Sequence, residues 1–339
     1  MFVLKAVVFL APDKVELCEV EDPRIGANDV LIETRVAGIS AGTETGILRG
    51  VFPRIVRGEI KYPIIPGYAD GVGGIVKEVG EKVNDFQVGD RVIAGRTTYP
   101  IKGYSVYWGG HVEYRQSLAS EVRKLPDDIS FEEAAFHNHG TDAIHCARRA
   151  NLHFGETVAI IGMGSMGQQA CQIAKIGGAG QVIAVDIFDT KLELSKKSGA
   201  DHIINSKKEN LADRVMELTD GQGADVVIEA VGAPGLVNQS FDILKTHGRV
   251  LVWGRHVKPE EVDFTDKFFY KEISIIGTFD RLGEDADELL ELWFNLVKTK
   301  RLKLKHLITH DIPTENVAEA YRIMSEETDK YCFILLRWK

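Results

Sequence analysis

The run Val158-Ala-Ile-Ile-Gly162-Met-Gly164-Ser165-Met166-Gly167 sets a G-x-G-x-x-G pattern directly after an apolar stretch and before the helical pattern of residues 168–176. The chemistry it serves is the binding of a pyrophosphate. Gly162 permits a tight turn, Gly164 lets the main chain approach the phosphates, and Gly167 allows close packing of strand on helix; Ser165 and Met166 complete the turn, whose helix N-terminus faces the anion. A second apolar stretch, residues 181–185, ends in Asp186, nineteen residues after Gly167. A carboxylate there accepts from both hydroxyls of a ribose and repels a 2′-phosphate, so NAD is expected over NADP. The plainer alternative is a glycine-shaped turn with Asp186 capping the next helix. Two more turns, Glu229-Ala-Val231-Gly232-Ala233 and Leu251-Val-Trp253-Gly254, also follow apolar stretches. Ligands of open parallel sheets lie beyond the carboxyl ends of strands, so Val231, Gly232, Trp253 and Gly254 are expected to flank the nicotinamide.

The elements that must position these residues follow from periodicity. Between residues 156 and 277, strand-like runs at 157–161, 181–186, 202–205, 226–230, 249–253 and 273–276 alternate with helical or loop stretches, which implies a parallel sheet with right-handed crossovers. Before them, short strands at 6–10, 15–19, 29–38, 71–79, 91–94 and 111–114, broken by Gly, Pro and Asp, predict a β-rich, barrel-like domain. Ser130 followed by Glu132 and Glu133 has the form of an N-cap with an acidic first turn. The tail reads as helices at 285–299 and 314–325 and a final strand at 332–338.

The chain's 339 residues exceed what one hydrophobic core holds, so two domains are expected. A hydrophobic share of 44% and a charged share of 27% are those of soluble globular material. A net charge of −9 argues against a nucleic-acid partner. The opening run, residues 1–10, is interrupted by Lys5 and lacks a small-residue cleavage site, so it reads as a strand rather than a signal peptide. No apolar run approaches the ~18 residues of a membrane span. Four scattered cysteines (Cys18, Cys146, Cys171, Cys332) make no disulfide framework and point to a reducing cytoplasm.

The stretch Gly71-Val-Gly-Gly-Ile-Val-Lys-Glu-Val-Gly80 with Val83-Asn-Asp-Phe-Gln-Val-Gly-Asp-Arg-Val92 resembles the signature of the medium-chain dehydrogenase/reductase superfamily. Gly109-Gly-His-Val-Glu-Tyr114 and Lys124-Leu-Pro-Asp-Asp-Ile-Ser-Phe-Glu-Glu-Ala-Ala135 are similar to its later landmarks. The resemblance implies an α/β protein: a GroES-like β-rich catalytic domain over residues 1–142, completed by 277–339, and a Rossmann NAD-binding domain with a doubly wound parallel sheet over 143–276. Gly38-Ile-Ser-Ala-Gly-Thr-Glu44, Tyr62-Pro-Ile-Ile-Pro-Gly-Tyr68, Leu307-Ile-Thr-His310 and Cys332-Phe-Ile-Leu-Leu-Arg-Trp338 are similar to bacteriochlorophyllide dehydrogenases that oxidise a hydroxyethyl side chain. The family's zinc ligands would fall on Ser40 or Ala41, on Tyr68 and on Asn138. These cannot make the thiolate, imidazole or carboxylate set that tetrahedral zinc requires, so no zinc is expected. His137 and His139, which bracket Asn138, are the one shifted alternative.

Hydride transfer from an alcohol carbon requires the hydroxyl proton to be taken up and the new carbonyl oxygen stabilised, which zinc does elsewhere in the family. Tyr68, at the vanished histidine position, is the first candidate to replace it. Ser40, Thr43 and Glu44 occupy the places of relay and ligand-support residues, Glu44 alternatively holding an Arg or a backbone amide. His139, with Asp142 three residues on, is the second candidate base. The expected activity is NAD-linked interconversion of a secondary alcohol and a ketone, by a homodimer or larger homo-oligomer paired through the edge strand at 273–276. The alternatives are a zinc-free quinone or enoyl reductase, which Asp186 counts against, and a nucleotide-binding redox sensor without turnover.

Overall fold

The computed structural model describes residues 4–67, 71–97, 99–279 and 285–339. The chain divides into two compact units, Met1–Asn138 with Ile308–Lys339 and His139–Leu307.

The first unit carries β1 (Leu4–Ala11), β2 (Lys14–Val20), β3 (Asp29–Gly38), β4 (Ile64–Ile65), β5 (Val72–Val79), β6 (Arg91–Ile93), β7 (Ser105–Val106), β8 (Tyr114–Leu118) and β9 (Arg123–Lys124). The second carries β10 (Thr157–Ile161), β11 (Gln181–Asp186), β12 (His202–Asn205), β13 (Ala224–Glu229), β14 (Leu244–Val252) and β15 (Ser274–Gly277). The chain then returns to the first unit with β16 (Ile308–Pro313) and β17 (Phe333–Arg337).

In the first unit β3 is the axis of a sheet ordered β16-β17-β3-β5-β6-β9, with β8 also paired to β3; a second sheet runs β2-β1-β4-β7. Val30, Ile32 and Ala37 of β3 are buried, and the core they join includes Phe9, Phe52 and Tyr321. Phe9 and Tyr321 meet edge to face, 5.0 Å between centroids, a geometry that the ring quadrupoles favour. Ser130 caps the helix Phe131–Ala134 in a full capping box with Glu133. One expected strand is displaced: the ladder begins at Tyr114 rather than at residue 111. The Gly109–Gly110 turn leaves residues 111–113 to alternate their bonds between β1 and β3, with the Val7 N–H donating to the His111 carbonyl and the Thr34 N–H to that of Glu113.

The second unit is a parallel sheet ordered β12-β11-β10-β13-β14-β15. Chain order runs outward both ways from the β10/β13 pair, which makes that pair the topological switch point. Ile161 is level with Val185 and Glu229, and Glu229 with Val252, so three strands end flush. Residues 277–307, expected with the first domain, fall with this unit. Trp293 of the helix Ala286–Lys298 is buried against Gly140, where an added Cβ would collide with the indole. Arg148 pairs with Glu288 at 2.6 Å, and the Gln172 side chain exchanges hydrogen bonds of 2.9 and 2.7 Å with the Lys303 main chain.

Candidate dinucleotide and catalytic site

The turn after β10 is built as the glycine spacing requires. Gly162 has φ +96°, a left-handed conformation that costs a residue with Cβ, and its N–H donates to the Val185 carbonyl at 2.8 Å. Gly164 is the N-cap of the helix Ser165–Ile176, capped by no side chain, and an added Cβ there would meet nothing within 4 Å. The main chain is thus open to a ligand in front of a twelve-residue helix, whose amides and dipole attract an anion. A Cβ on Gly167 would collide with the Gly162 carbonyl, so that glycine is needed for close approach. Met166 is partly exposed on this turn.

Asp186 ends β11 with its carboxylate held by main-chain donors. Oδ2 accepts from the Met163 N–H at 2.7 Å, and Oδ1 from the N–H groups of Ile187 and Phe188 at 2.7 and 3.0 Å. The acid is therefore pinned to the glycine turn itself, while the next helix, Asp189–Lys197, starts from Phe188 as its N-cap. Gln168, which the sequence reading passed over, is fully buried and shares its amide among Met163 O, Lys191 O and Ser195 Oγ at 2.9 to 3.1 Å. It ties the turn to the following helix; a polar residue on the buried face was its only signal.

The turns after β13 and β14 meet. Gly232 has φ +76°, and a Cβ on Gly254 would collide with the Gly232 N–H. Val231 stands 49% exposed, with its side chain over Gly162; Trp253 is buried. The N–H groups of Trp253 and Gly254 both donate to the Glu229 carbonyl, at 2.9 and 2.7 Å.

His139 is buried in the second unit, its Nδ1 3.1 Å from Ser165 Oγ. Burial pushes its pKa down to about 4, so the ring is neutral at neutral pH.

In the first unit Ser40 precedes the helix Ala41–Leu48, Thr43 is partly exposed and Glu44 is buried. The Ser40 N–H donates to Glu44 Oε1 at 3.0 Å, His111 Nε2 lies 3.1 and 3.3 Å from the two carboxylate oxygens, and the Tyr321 hydroxyl donates to Oε2. His111 and Tyr321 are buried as well, and burial beside the Glu44 carboxylate raises the Tyr321 phenol well above its ordinary range. Neither was singled out from sequence. Tyr68 lies outside the described residues. Gly67 before it has φ +116° and packs so tightly on residues 110–111 that a Cβ would meet the His111 nitrogen at 2.5 Å.

These donors do not fit a zinc ion. Ser40 offers only a hydroxyl, Ala41 offers nothing, Asn138 offers an amide, and the Glu44 carboxylate is taken up by His111 and Tyr321. His137 turns Nδ1 to the Ala134 carbonyl at 2.9 Å, and residues two apart on a helix point roughly 200° from one another. Among the described residues no group of three or more His, Cys, Asp or Glu could hold a metal ion.

Comparison with known proteins agrees with this architecture. A family model described as alcohol dehydrogenase GroES-like domain matches residues 26–127, and one described as zinc-binding dehydrogenase matches residues 152–295. The D-xylulose reductase of Saccharomyces cerevisiae is 31% identical over 96% of this chain and 94% of its own length; an L-threonine 3-dehydrogenase of Pyrococcus abyssi is 30% identical over 94% and 95%. An alcohol dehydrogenase of Escherichia coli CFT073, solved with NADH, superposes with TM-score 0.85 at 25% identity, covering 99% of both chains. The flush strand ends, the glycine turn and this full-length similarity have one conclusion: the chain belongs to the medium-chain dehydrogenase/reductase superfamily of alcohol dehydrogenase-like oxidoreductases.

Proposed function

We propose that the protein is an NAD-dependent dehydrogenase that interconverts a secondary alcohol and a ketone without catalytic zinc. The observation that carries the cofactor reading is the pairing of an open main-chain turn at Gly164 with the Asp186 carboxylate, fixed to the same turn at the end of the neighbouring strand. Gly162, Gly164, Ser165, Met166 and Gly167 would hold the pyrophosphate, Asp186 the adenosine ribose, and Val231, Gly232, Trp253 and Gly254 the nicotinamide end. When bound, the oxidised nicotinamide accepts the hydride from the alcohol carbon.

The chain's own groups must then take the hydroxyl proton and steady the oxygen as it becomes a carbonyl. We assign Tyr68 and Ser40 to that oxygen and Thr43 to the proton relay, with Glu44 accepting from the Ser40 N–H and so holding it in place. His139, neutral and bonded to Ser165, ranks below Tyr68 as a base. The four cysteines are in no disulfide, which fits a reducing cytoplasm, and among the described residues no helix is long and apolar enough to cross a membrane.

The test is a titration with NAD+ and NADP+ beside a panel of secondary alcohols and polyols. The unaltered protein should bind NAD+ more tightly, and Asp186→Ser should weaken NAD+ binding and raise relative use of NADP+. Tighter NADP+ binding by the unaltered protein would refute the cofactor assignment.

A further inference from the structure

Glu229 is the last residue of β13 and has no exposed surface. Its Oε1 accepts from the N–H groups of Val231 and Gly232, both at 2.7 Å, and Oε2 lies 3.2 Å from His256 Nε2. The other ring nitrogen, Nδ1, lies 2.9 Å from Glu260 Oε2, and Glu260 Oε1 accepts from the Gly235 N–H at 2.6 Å. A carboxylate–imidazole–carboxylate row thus runs beneath both turns. Its first member grips the turn after β13 by its side chain and the turn after β14 by its carbonyl; the imidazole ties it to the segment that follows.

Burying such a row costs free energy that apolar packing would not, so its position calls for a use. That position is the carboxyl end of β13 and β14, on the far side of the switch point from Asp186. With phosphates at the glycine turn and adenosine over β11, the other half of a dinucleotide falls on these two turns. We infer that Glu229 and His256 are positioning residues for the nicotinamide end of the cofactor: they fix the Val231–Gly232 and Trp253–Gly254 turns against each other, and so set nicotinamide binding independently of the adenosine half. The inference rests on the dinucleotide reading above.

The test compares NADH with ADP-ribose, which lacks the nicotinamide, by calorimetric titration of the full chain. In His256→Ala the Kd for NADH should rise about tenfold, a loss of about 1.4 kcal/mol, while the Kd for ADP-ribose stays within about twofold. Glu229→Gln keeps an acceptor for Val231 and Gly232 and alters only the contact with His256, so it should reproduce the same split. His256→Gln, which retains an amide donor, should recover part of the lost NADH affinity. Equal losses for both ligands, or no loss for either, overturn the inference and leave the dinucleotide site standing. An unaltered protein that binds neither ligand overturns the dinucleotide reading, and the inference with it.

Discussion

His139 converts its burial into a measurable pH dependence. Its pKa is about 4 in the native chain against 6.5 for the free side chain. The unfolded chain therefore binds the proton more tightly, and stability is intact above pH 6.5 and falls as pH drops toward 4. At about pH 5 this difference lowers the folding equilibrium constant by a factor of about 30, so this one residue removes about 2 kcal/mol that is almost wholly present at about pH 7.5. His139→Gln keeps a polar group near Ser165 Oγ but cannot titrate. Urea unfolding of both proteins between these pH values gives the difference curve, in which the carboxylates common to both cancel. Wild type should lose about 2 kcal/mol relative to the variant on going down in pH. Parallel curves would refute burial as the cause, and would restore His139 as a base able to work near neutrality.

The remaining predictions concern the reaction and the assembly. Tyr68→Phe should lower kcat by ~100- to 10,000-fold with little change in NAD+ affinity; a variant that keeps more than about half its turnover makes Tyr68 only wall. Elemental analysis of the purified protein should find no stoichiometric zinc, and about one zinc per chain, lost together with activity on chelation, would sink the metal-free reading. The edge strand β15 carries a half-exposed Ile275 beside exposed Phe269 (70%), Tyr270 (74%) and Phe279 (64%), and an apolar sheet edge invites pairing with a second copy. Light scattering at micromolar concentration should give a dimer or larger, shifted toward monomer by Ile275→Lys; a monomeric unaltered chain counts against it.

The second unit was the more legible because its signals are local. Continuous apolar runs, a glycine pattern at fixed spacing and an acid at the end of the next run place β10, β11 and the turn between them within a residue or two. The first unit was harder. β4 and β7 are two residues each, too short to show alternation, and β16 pairs with β17 through a register shift after Ile308. The cofactor turns were named from sequence, but Glu229, the first residue of one of them, was given no role. Its function as an acceptor exists only once the fold brings Val231, Gly232 and His256 around it, and in the sequence it is one acid at the end of an apolar run.

Glu44 shows the same limit where the chemistry matters most. Position alone left two readings, a participant in proton transfer or a group that holds an Arg or a backbone amide. The choice turns on residues 111 and 321, which no local pattern connects to residue 44. His111 belongs to a Gly-Gly turn, and Tyr321 looks like an ordinary core residue of the amphipathic helix Val317–Glu326. Once folded, the Glu44 carboxylate accepts from the Ser40 N–H and the Tyr321 hydroxyl while facing His111 Nε2. Freeing a buried carboxylate so engaged to exchange protons with a substrate would strand buried donors at ~1–3 kcal/mol each. The arrangement favours the holding reading: the Glu44 carboxylate fixes the start of its helix and with it the position of Ser40.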